Sequence, residues 1–524
     1  MKNTFYLKNK LRLALLAPSL ALSVMMTSCE KETMDLLPKD RITEASAFET
    51  AERIELSMLG VYDAAQTGFY SGAQRGYPFG AASIQQGDVR GEDMLNVAAF
   101  YAFSYESTFN ATTTLNNVYM WETLYGLINK ANIMIEGVQT AAAAGIISAE
   151  KAKSYEGEAR FLRALAHHEL LTHFARPYNH TADASHAGVP YRRSAINNPT
   201  RIEEAKKQGR HTVKESYAFL LEDLDFAENN ITTATLTRAS KGAAIALKTR
   251  VKLHMRDWSG VVTEANKIVT GTTTFTSPVG GYALTATPEG PFTGNKGNSE
   301  SIFSILNSTD DNPGTNAALA NMYSGKNRAL VAISPVIWNQ TFWPTDDKRR
   351  TNLALSAFGG EMYTTKYQDL TGWSDNTPVI RYAEVLLNKA EAHSRLNQPV
   401  EALALYKAVR GRSTSQIDLA LVGDALTQAI INERRIEFVA EGLRWKDIHR
   451  LAKNAEFGVS GIPAKVAYGA VKATDWVAAS GEVRPALFTS IPAIPYGDDR
   501  FLWPIPTSET TSNPVLKAQQ NPGY

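Results

Sequence analysis

The chain has 524 residues, 44% of them apolar, enough to bury a substantial core in one large domain or several smaller ones. Its 54 basic and 53 acidic side chains leave a formal charge of +1, and no long basic run restores a local field, so nucleic acid is not an expected partner. A single cysteine, Cys29, excludes an internal disulfide framework and a cysteine-based zinc cluster.

The first element in chain order is a targeting segment. Lys2, Lys8, Lys10 and Arg12 precede the apolar stretch LALLAPSLALSVMM, which is too short and too Pro-interrupted for a membrane span but suits a signal-peptide core. It ends in Met26-Thr-Ser-Cys29, which resembles a bacterial lipobox, with Met26 where Leu is usual. Residues 1–28 therefore read as a lipoprotein signal peptide, 29–40 as an acylated tether and 41–524 as a single domain. Acyl chains burying about 0.8 kcal/mol per CH2 hold a protein on a membrane without a spanning helix.

Helical periodicity follows. Val118, Trp121, Tyr125, Ile128, Asn132 and Ile135 step by three and four, as do Tyr155, Ala159, Leu162, Ala166, Leu170 and His173, which predicts two amphipathic helices. Thr212 to Glu215 is a capping-box pattern opening a third helix with Tyr217, Leu220, Leu224 and Ala227 on one face. Ala244, Leu247, Val251 and Met255 form a fourth stripe, and Asp257 is placed to cap a fifth helix carrying Val261, Ala265 and Ile268. Later in the chain Ala383, Leu386, Ala390 and Ser394 lead through a Leu396–Pro399 turn to Ala402, Tyr406 and Val409. Pro399 suits the first turn of that second helix, and Ala390 and Ala402 permit close helix approach. The spacing resembles a tetratricopeptide repeat, whose stacked pairs bury faces that none buries alone. Unrelated helical hairpins would give the same periodicity.

The helices occupy about 115–270 and 378–454. Between and around them, residues 61–114, 271–377 and 455–505 are rich in Gly, Thr, Asn, Pro and aromatics and lack a sustained period. Long irregular segments in a large domain are commonly functional surfaces.

Six stretches carry a family resemblance: GEARFLRALAHHELLTHFARPY (157–178), SKGAAIALKTRVKLHMRDWSGVVTEANKIV (240–269), SPVIWNQTFWPTDDKRR (334–350), PVIRYAEVLLNKAEA (378–392), INERRIEFVAEGLRWKDIHRL (431–451) and FLWPIPTSETTSNPVLKAQQNPGY (501–524). In content and order they resemble the signature segments of the SusD/RagB family, and the terminal NPGY with its upstream PIP is specific to it. The resemblance implies a mainly α protein in which tetratricopeptide-like helix pairs form a curved scaffold under a large irregular, loop-rich ligand face with minor β structure. It also implies an outer-membrane, lipid-anchored protein facing the cell exterior, with a SusC-type TonB-dependent transporter as partner. One departure is local: Phe174-Ala-Arg-Pro177-Tyr, followed by a His-bearing loop, stands where many relatives have a Gly-Asp-x-Pro turn.

Catalytic patterns are weak. His168 and His173 are five apart, about 500° around a helix, so they do not share a face as the pair of a zincin motif must. Asp88/Glu92/Asp93, Asp310/Asp311 and Asp346/Asp347 supply carboxylates in number for a glycosidase, but their separations are not legible, and turn-forming or solvated acids account for them equally. Glu433, Arg434, Arg435, Glu437, Glu441, Arg444 and Asp447 interleave charge at short helical separations and read as a salt-bridged helix junction broken at Gly442. The expected function is binding of an oligosaccharide without chemistry, no cofactor and no metal. Oligopeptide capture is the second reading, which loops filled with buried charge pairs would favour. A surface glycoside hydrolase is the third.

A flat ring offers its apolar face to the C–H face of a sugar while nearby polar groups take the hydroxyls. On that logic the expected ligand residues are Tyr77, Phe79, Asp88, Arg90, Tyr101, Tyr282, Tyr323 and Trp373, with Tyr77, Tyr323 and Trp373 the leading rings. Each taken singly also fits ordinary packing. For the anchor, Cys29→Ala should abolish acylation and leave the protein soluble or held as precursor; normal metabolic lipid labelling of that variant would refute the lipoprotein assignment.

Overall fold

The structure is a computed structural model that describes residues 44, 46–67, 76–111, 115–293, 297–357 and 359–524. Cys29 and the targeting segment lie outside these residues. The chain divides into two units, Met1–Glu55 and Leu56–Tyr524. In the first, Arg53 pairs with Glu49 on an exposed turn. Helix α1 spans Ala51–Gln66.

In the larger unit the periodic blocks are helices. After α2 (Ala81–Val89) and strand β1 (Met94–Asn96), the scaffold begins with α3 (Leu115–Ala143) and α4 (Ala149–Phe174), packed along their lengths. It continues through α5 (Val213–Asn230), α6 (Lys241–Met255) and α7 (Trp258–Asn266), each against its predecessor. The N-termini follow the chemistry of the sequence. Ser148, Thr212, Ser240 and Asp257 each accept a backbone N–H of the first turn, and Thr212 with Glu215 completes a reciprocal capping box. Gly157 lets α4 and α5 touch, since a Cβ there would lie 2.7 Å from Ile231 Cγ1.

The irregular segments between the helices are organised by short strands. β2 (Ser301–Ile305) pairs antiparallel with β6 (Thr377–Arg381), while β3 (Val331–Ile333), β4 (Ala354–Ala357) and β5 (Glu361–Thr364) join β1 in an antiparallel sheet of order β1-β3-β5-β4. One apolar cluster forms around that sheet and includes Tyr101, Tyr105, Tyr323, Trp338, Trp343, Tyr363 and Tyr367. The loop-rich part of the chain thus has a core of its own.

The scaffold resumes with α8 (Tyr382–Arg395) and α9 (Pro399–Arg410), then α10 (Gly423–Glu437) and α11 (Arg444–Leu451). α8 packs on α6, α7, α9 and α10, joining the two helical blocks that are separate in sequence. Pro399 stands in the first turn of α9 as its fixed φ favours, and Ala390 and Ala402 are both fully buried at the helix contact. The break between α10 and α11 falls at Gly442, with φ +73. No helix among the described residues is long and apolar enough to cross a membrane.

The burial of Ala390 sets a stability test. Ala390→Trp should overpack the helix contact and cost about 1–3 kcal/mol, read as a lowered urea midpoint at constant slope; an unchanged midpoint would place Ala390 outside the contact.

Candidate functional site

Most of the carboxylates that sequence pairing offered for catalysis are engaged in internal contacts. Asp88 accepts the Gly442 N–H at 2.9 Å and the Tyr323 hydroxyl at 2.7 Å. It sits where two backbones touch, because a Cβ on Gly87 would lie 2.1 Å from Gly442 O. Burial pushes its carboxyl up to about 7, against the pull of Tyr323 and Gly442. Glu92 and Asp93 face Arg435 and Arg444 at 2.5–3.4 Å. Asp347 caps the Arg349 N–H and clamps its guanidinium, and Asp346 accepts from Thr414 and Gln416. Asp310 and Asp311 are exposed on a loop.

The interleaved charges of 431–451 form the expected junction, but mostly through long-range partners. Glu433, Glu437 and Glu441 on and after α10, with Glu300 and Asp347, meet Arg349, Lys366, Arg381, Arg410 and Arg412. These ten groups are buried and balance in formal charge. Asp447 crosses the break to Arg434 at 2.9 Å, and Arg450 forks onto Glu391 at 2.7 Å.

Most of the expected ligand residues are interior. Tyr77 is buried, accepts from Gln86 at 2.9 Å and meets Tyr119 edge-on; Phe79 is buried beside it in sequence. Tyr101 and Tyr323 belong to the apolar cluster of the sheet. Arg90 is fully buried, 3.4 Å from the Trp445 ring centroid and 5.0 Å from that of Trp503, and donates to Phe501 O at 2.7 Å. These six residues, Tyr77, Phe79, Asp88, Arg90, Tyr101 and Tyr323, are corrected from ligand groups to packing groups. Tertiary pairing of distant segments covers them, and such pairing leaves no local period in sequence.

The histidines are also interior. His167 accepts the Arg192 N–H at 3.1 Å and bonds Arg163 O at 2.8 Å, while His173 lies between Glu169 and Arg90 and stacks on Trp503 at 4.2 Å. His168 meets His254 edge-on at 4.8 Å. Burial above all pushes the last two and His173 down, His168 to about 3 and His173 to about 4, so these rings are neutral at physiological pH.

Two expected rings, Tyr282 and Trp373, are partly exposed. Tyr282 lines a cleft of about 280 Å³ between the C-terminal end of α5, the start of α6 and residues 298–301. Its ring is held by backbone, since a Cβ on Gly242 or Gly280 would lie 2.5 Å from it, and its hydroxyl is 3.2 Å from Ser240 Oγ. Around it stand Thr232, Thr233, Thr235, Asn298, Ser299 and Ser301, with Lys241 as the cation; no described lining residue is Asp, Glu or Arg. Thr235, Ser299 and Lys241 are exposed. The cleft shares Leu236, Asn298 and Ser301 with a water-sized hollow bounded by Asp375 and Asn376.

That hollow leads to Trp373. Asp369 gathers the N–H groups of Thr371, Gly372 and Ser374 at 2.8–3.1 Å and the Ser374 hydroxyl at 2.6 Å, while Asp375 accepts from Gln368 and Asp369 at 2.8 Å. The Ser374 hydroxyl and these amides hold Asp369 well below the usual carboxylate range. The turn keeps Trp373 partly exposed at φ +53, a left-handed conformation uncommon for a bulky residue. Asn307 ties the turn to the end of β2, donating to Asp375 O at 2.7 Å. Tyr282 thus shares its cleft with Ser301 at the start of β2, and the Trp373 turn is tied through Asn307 to the other end of that strand.

Two other clefts are larger. One of about 380 Å³ contains Arg193 and Arg201, already paired with Glu222 and Glu136, and one of about 530 Å³ lies inside loop 474–485 around Asn339. Neither carries an expected ring. The sequence reading missed the hydroxyls of 232–240 and 298–301, which no motif marks. It also missed Tyr468, an exposed ring whose Ala467 and Gly469 neighbours gave a faint signal.

Comparison with known proteins gives a consistent picture. A model described as "SusD family" matches residues 348–524, and one described as "Starch-binding associating with outer membrane" matches residues 63–253. SusD-like protein P38 of Formosa agariphila is 24% identical over 489 residues, covering 82% of this chain and 90% of that protein. A SusD superfamily protein of Bacteroides fragilis has a similar structure, with TM-score 0.72 and 27% identity over 90% of this chain and 99% of that one. A laminarin-binding SusD-like protein shares the fold at TM-score 0.66 and 19% identity, covering 91% of this chain and 100% of that one.

The ion network makes stability depend on acid. Burial raises the Glu92 and Asp447 carboxyls, but Arg444 and Arg435 in one case, and Arg434 and Arg450 in the other, outweigh it and hold each at about 2. Their contribution is present above the ordinary carboxylate range and lost as pH falls from about 4.5 toward 2. Glu92→Gln or Asp447→Asn should cost about 3–5 kcal/mol at pH 7 and flatten the fall of stability across that window. A pH–stability slope identical to wild type would show that these groups are not the ones titrating.

Proposed function

Because the chain belongs to the SusD/RagB family, we propose that it binds glycan at the cell surface and delivers it to a SusC-type TonB-dependent transporter in the outer membrane. Its relatives and the matching family models are those of SusD-like carbohydrate-binding proteins associated with the outer membrane. The glycan reading rests on one observation in this chain, the Tyr282 cleft. A ring set among hydroxyl and amide groups, with no lining carboxylate, suits a polyhydroxylated ligand and lacks the acid pair that hydrolysis of a glycosidic bond requires. The protein acts by binding rather than by catalysis. Family relatives include one described as laminarin-binding, which supports a glycan in this role. Acylation at Cys29 would supply the anchor, with the ligand face turned to the exterior.

Trp373, partly exposed on its aspartate-held turn, is the second ring of this reading. Oligopeptide capture is the second reading, favoured by the dense buried charge pairs. Those pairs lie in the junction at α10, however, and not in the cleft lining.

Tyr282→Ala and Trp373→Ala should each lose roughly 1–3 kcal/mol of binding to a glycan found by array, by analogy with base–aromatic stacking, with little change in melting temperature. Calorimetry at 50 and 500 mM salt should give similar affinities, since a neutral sugar releases no counterions. Wild-type affinity in both variants would remove this face from the site, and tight binding to peptide pools with none to glycans would favour the second reading.

A further inference from the structure

The three walls of the Tyr282 cleft are joined into a ring. The first, residues 231–242, is pinned to α4, where Ser154 Oγ accepts the Thr232 N–H at 3.1 Å and Glu158 accepts the Thr233 hydroxyl at 3.0 Å. It meets the second wall, 279–283, where the Tyr282 hydroxyl stands 3.2 Å from Ser240 Oγ. The second wall meets the third, 298–301, through the Ala283 N–H, which donates to Ser299 O at 2.8 Å. The third runs on into β2 and returns to the first, since the Ser304 N–H donates to Leu236 O at 3.0 Å. Each wall is thus tied to the other two.

The cleft is also closed at its inner end. Asn298 folds back on its own segment: its Oδ1 accepts the Glu300 and Ser301 N–H groups at 2.9 and 2.8 Å, and its Nδ2 donates to Ser301 Oγ at 3.0 Å. Beyond it lies the hollow bounded by Asp375 and Asn376, whose volume of about 10 Å³ is room for one water and not for a sugar ring. The exposed lining residues Thr235, Lys241 and Ser299 mark the mouth. Among the described residues the cleft therefore has one way in.

Binding within a polymer needs a groove open at both ends, because the chain has to enter and to leave. A ring of tied segments with a closed inner end admits only a terminus. A volume of about 280 Å³ lies just under the range that holds a drug-sized ligand, so the space suits roughly one or two sugar units. The tyrosine that would stack on them is fixed in place, since the backbones of Gly242 and Gly280 press on its ring. We propose that the Tyr282 cleft is a socket for a chain end, which takes the terminal units of a glycan while the remainder extends into solvent. The inference rests on the glycan-binding reading and deepens it, because it names chain ends, and so short oligosaccharides, as the class of ligand.

The test uses the mature full chain and linear α-1,4- and β-1,3-glucan oligosaccharides of increasing length, with cyclodextrin and a cyclic β-1,3-1,6-glucan as rings that have no end. Where an array identifies another glycan, its linear oligomers are used in the same way. Affinity should rise up to about three units and change less than about twofold beyond, and the cyclic probes should bind at least about tenfold more weakly than linear ones. The series is repeated in Trp373→Ala, which separates any gain of long probes on that ring from the socket, and in Tyr282→Ala, where all linear probes should weaken together by roughly tenfold. Affinity that climbs with every added unit in Trp373→Ala, or rings bound as tightly as linear chains, would overturn the socket and leave the glycan reading standing. A plateau with affinity untouched by Tyr282→Ala would place end-binding elsewhere and overturn it too. No binding of any glucan or array glycan by the wild type would sink both.

Discussion

The structure depends on a buried, balanced set of charges at the C-terminal end of α10. Glu433 and Glu437 project from one helix, yet their partners Arg349, Arg381, Arg410 and Arg412 come from segments before the sheet's last strands, from β6 and from the end of α9. Arg381 alone contacts Glu300, Glu437 and Glu441. Removing any one member leaves an unpaired charge in a dry interior, which is far less favourable than the intact network or an apolar replacement of it.

That constraint explains how an irregular half of the chain acquires a defined shape. The loop-rich segments contain short strands and few helices, so local propensity alone does not hold them. The network fixes β6 and the loop after β3 to α10, and Gly442 with Gly87 and Asp88 fixes α2 to the same junction. Arg434, Asp447, Arg450 and Glu391 carry the linkage into the helix pairs. Charge pairing in the interior contributes specificity of arrangement more than net stability, which the apolar clusters around the sheet and between the helices supply.

The candidate face lies apart from this buried network. The Tyr282 cleft presents a ring held by glycine backbone among hydroxyls, amides and Lys241, and the Trp373 turn presents one held by amides bound to Asp369 and Asp375. Both offer a partly exposed ring beside hydrogen-bonding groups. The terminal motif is placed by the scaffold: Asn521 donates to Phe174 O at 2.9 Å and Trp503 O at 2.8 Å, which ties the end of α4 to the last residues of the chain.

The amino-acid sequence by itself determined the helices, their caps and their break. A 3.6-residue period, a Thr212–Glu215 box, an Asp257 cap, Pro399 at a first turn and Gly442 between charged stretches are local signals, and each corresponds to a local structural event. The family signatures were legible for the same reason, since they are contiguous. Which aromatic rings face solvent was decided only by the tertiary structure. Tyr77, Tyr101 and Tyr323 sit in segments as irregular and glycine-rich as those around Tyr282 and Trp373, and nothing within ten residues of them separates the buried from the exposed. Their burial comes from partners far along the chain: Tyr323 meets Asp88 across 235 positions, and Tyr105 meets Val466 across 361. Periodicity reports the face of an element that buries itself against a neighbour at a regular angle. A loop residue has no such angle, so its exposure is set by long-range packing, which a single sequence does not display.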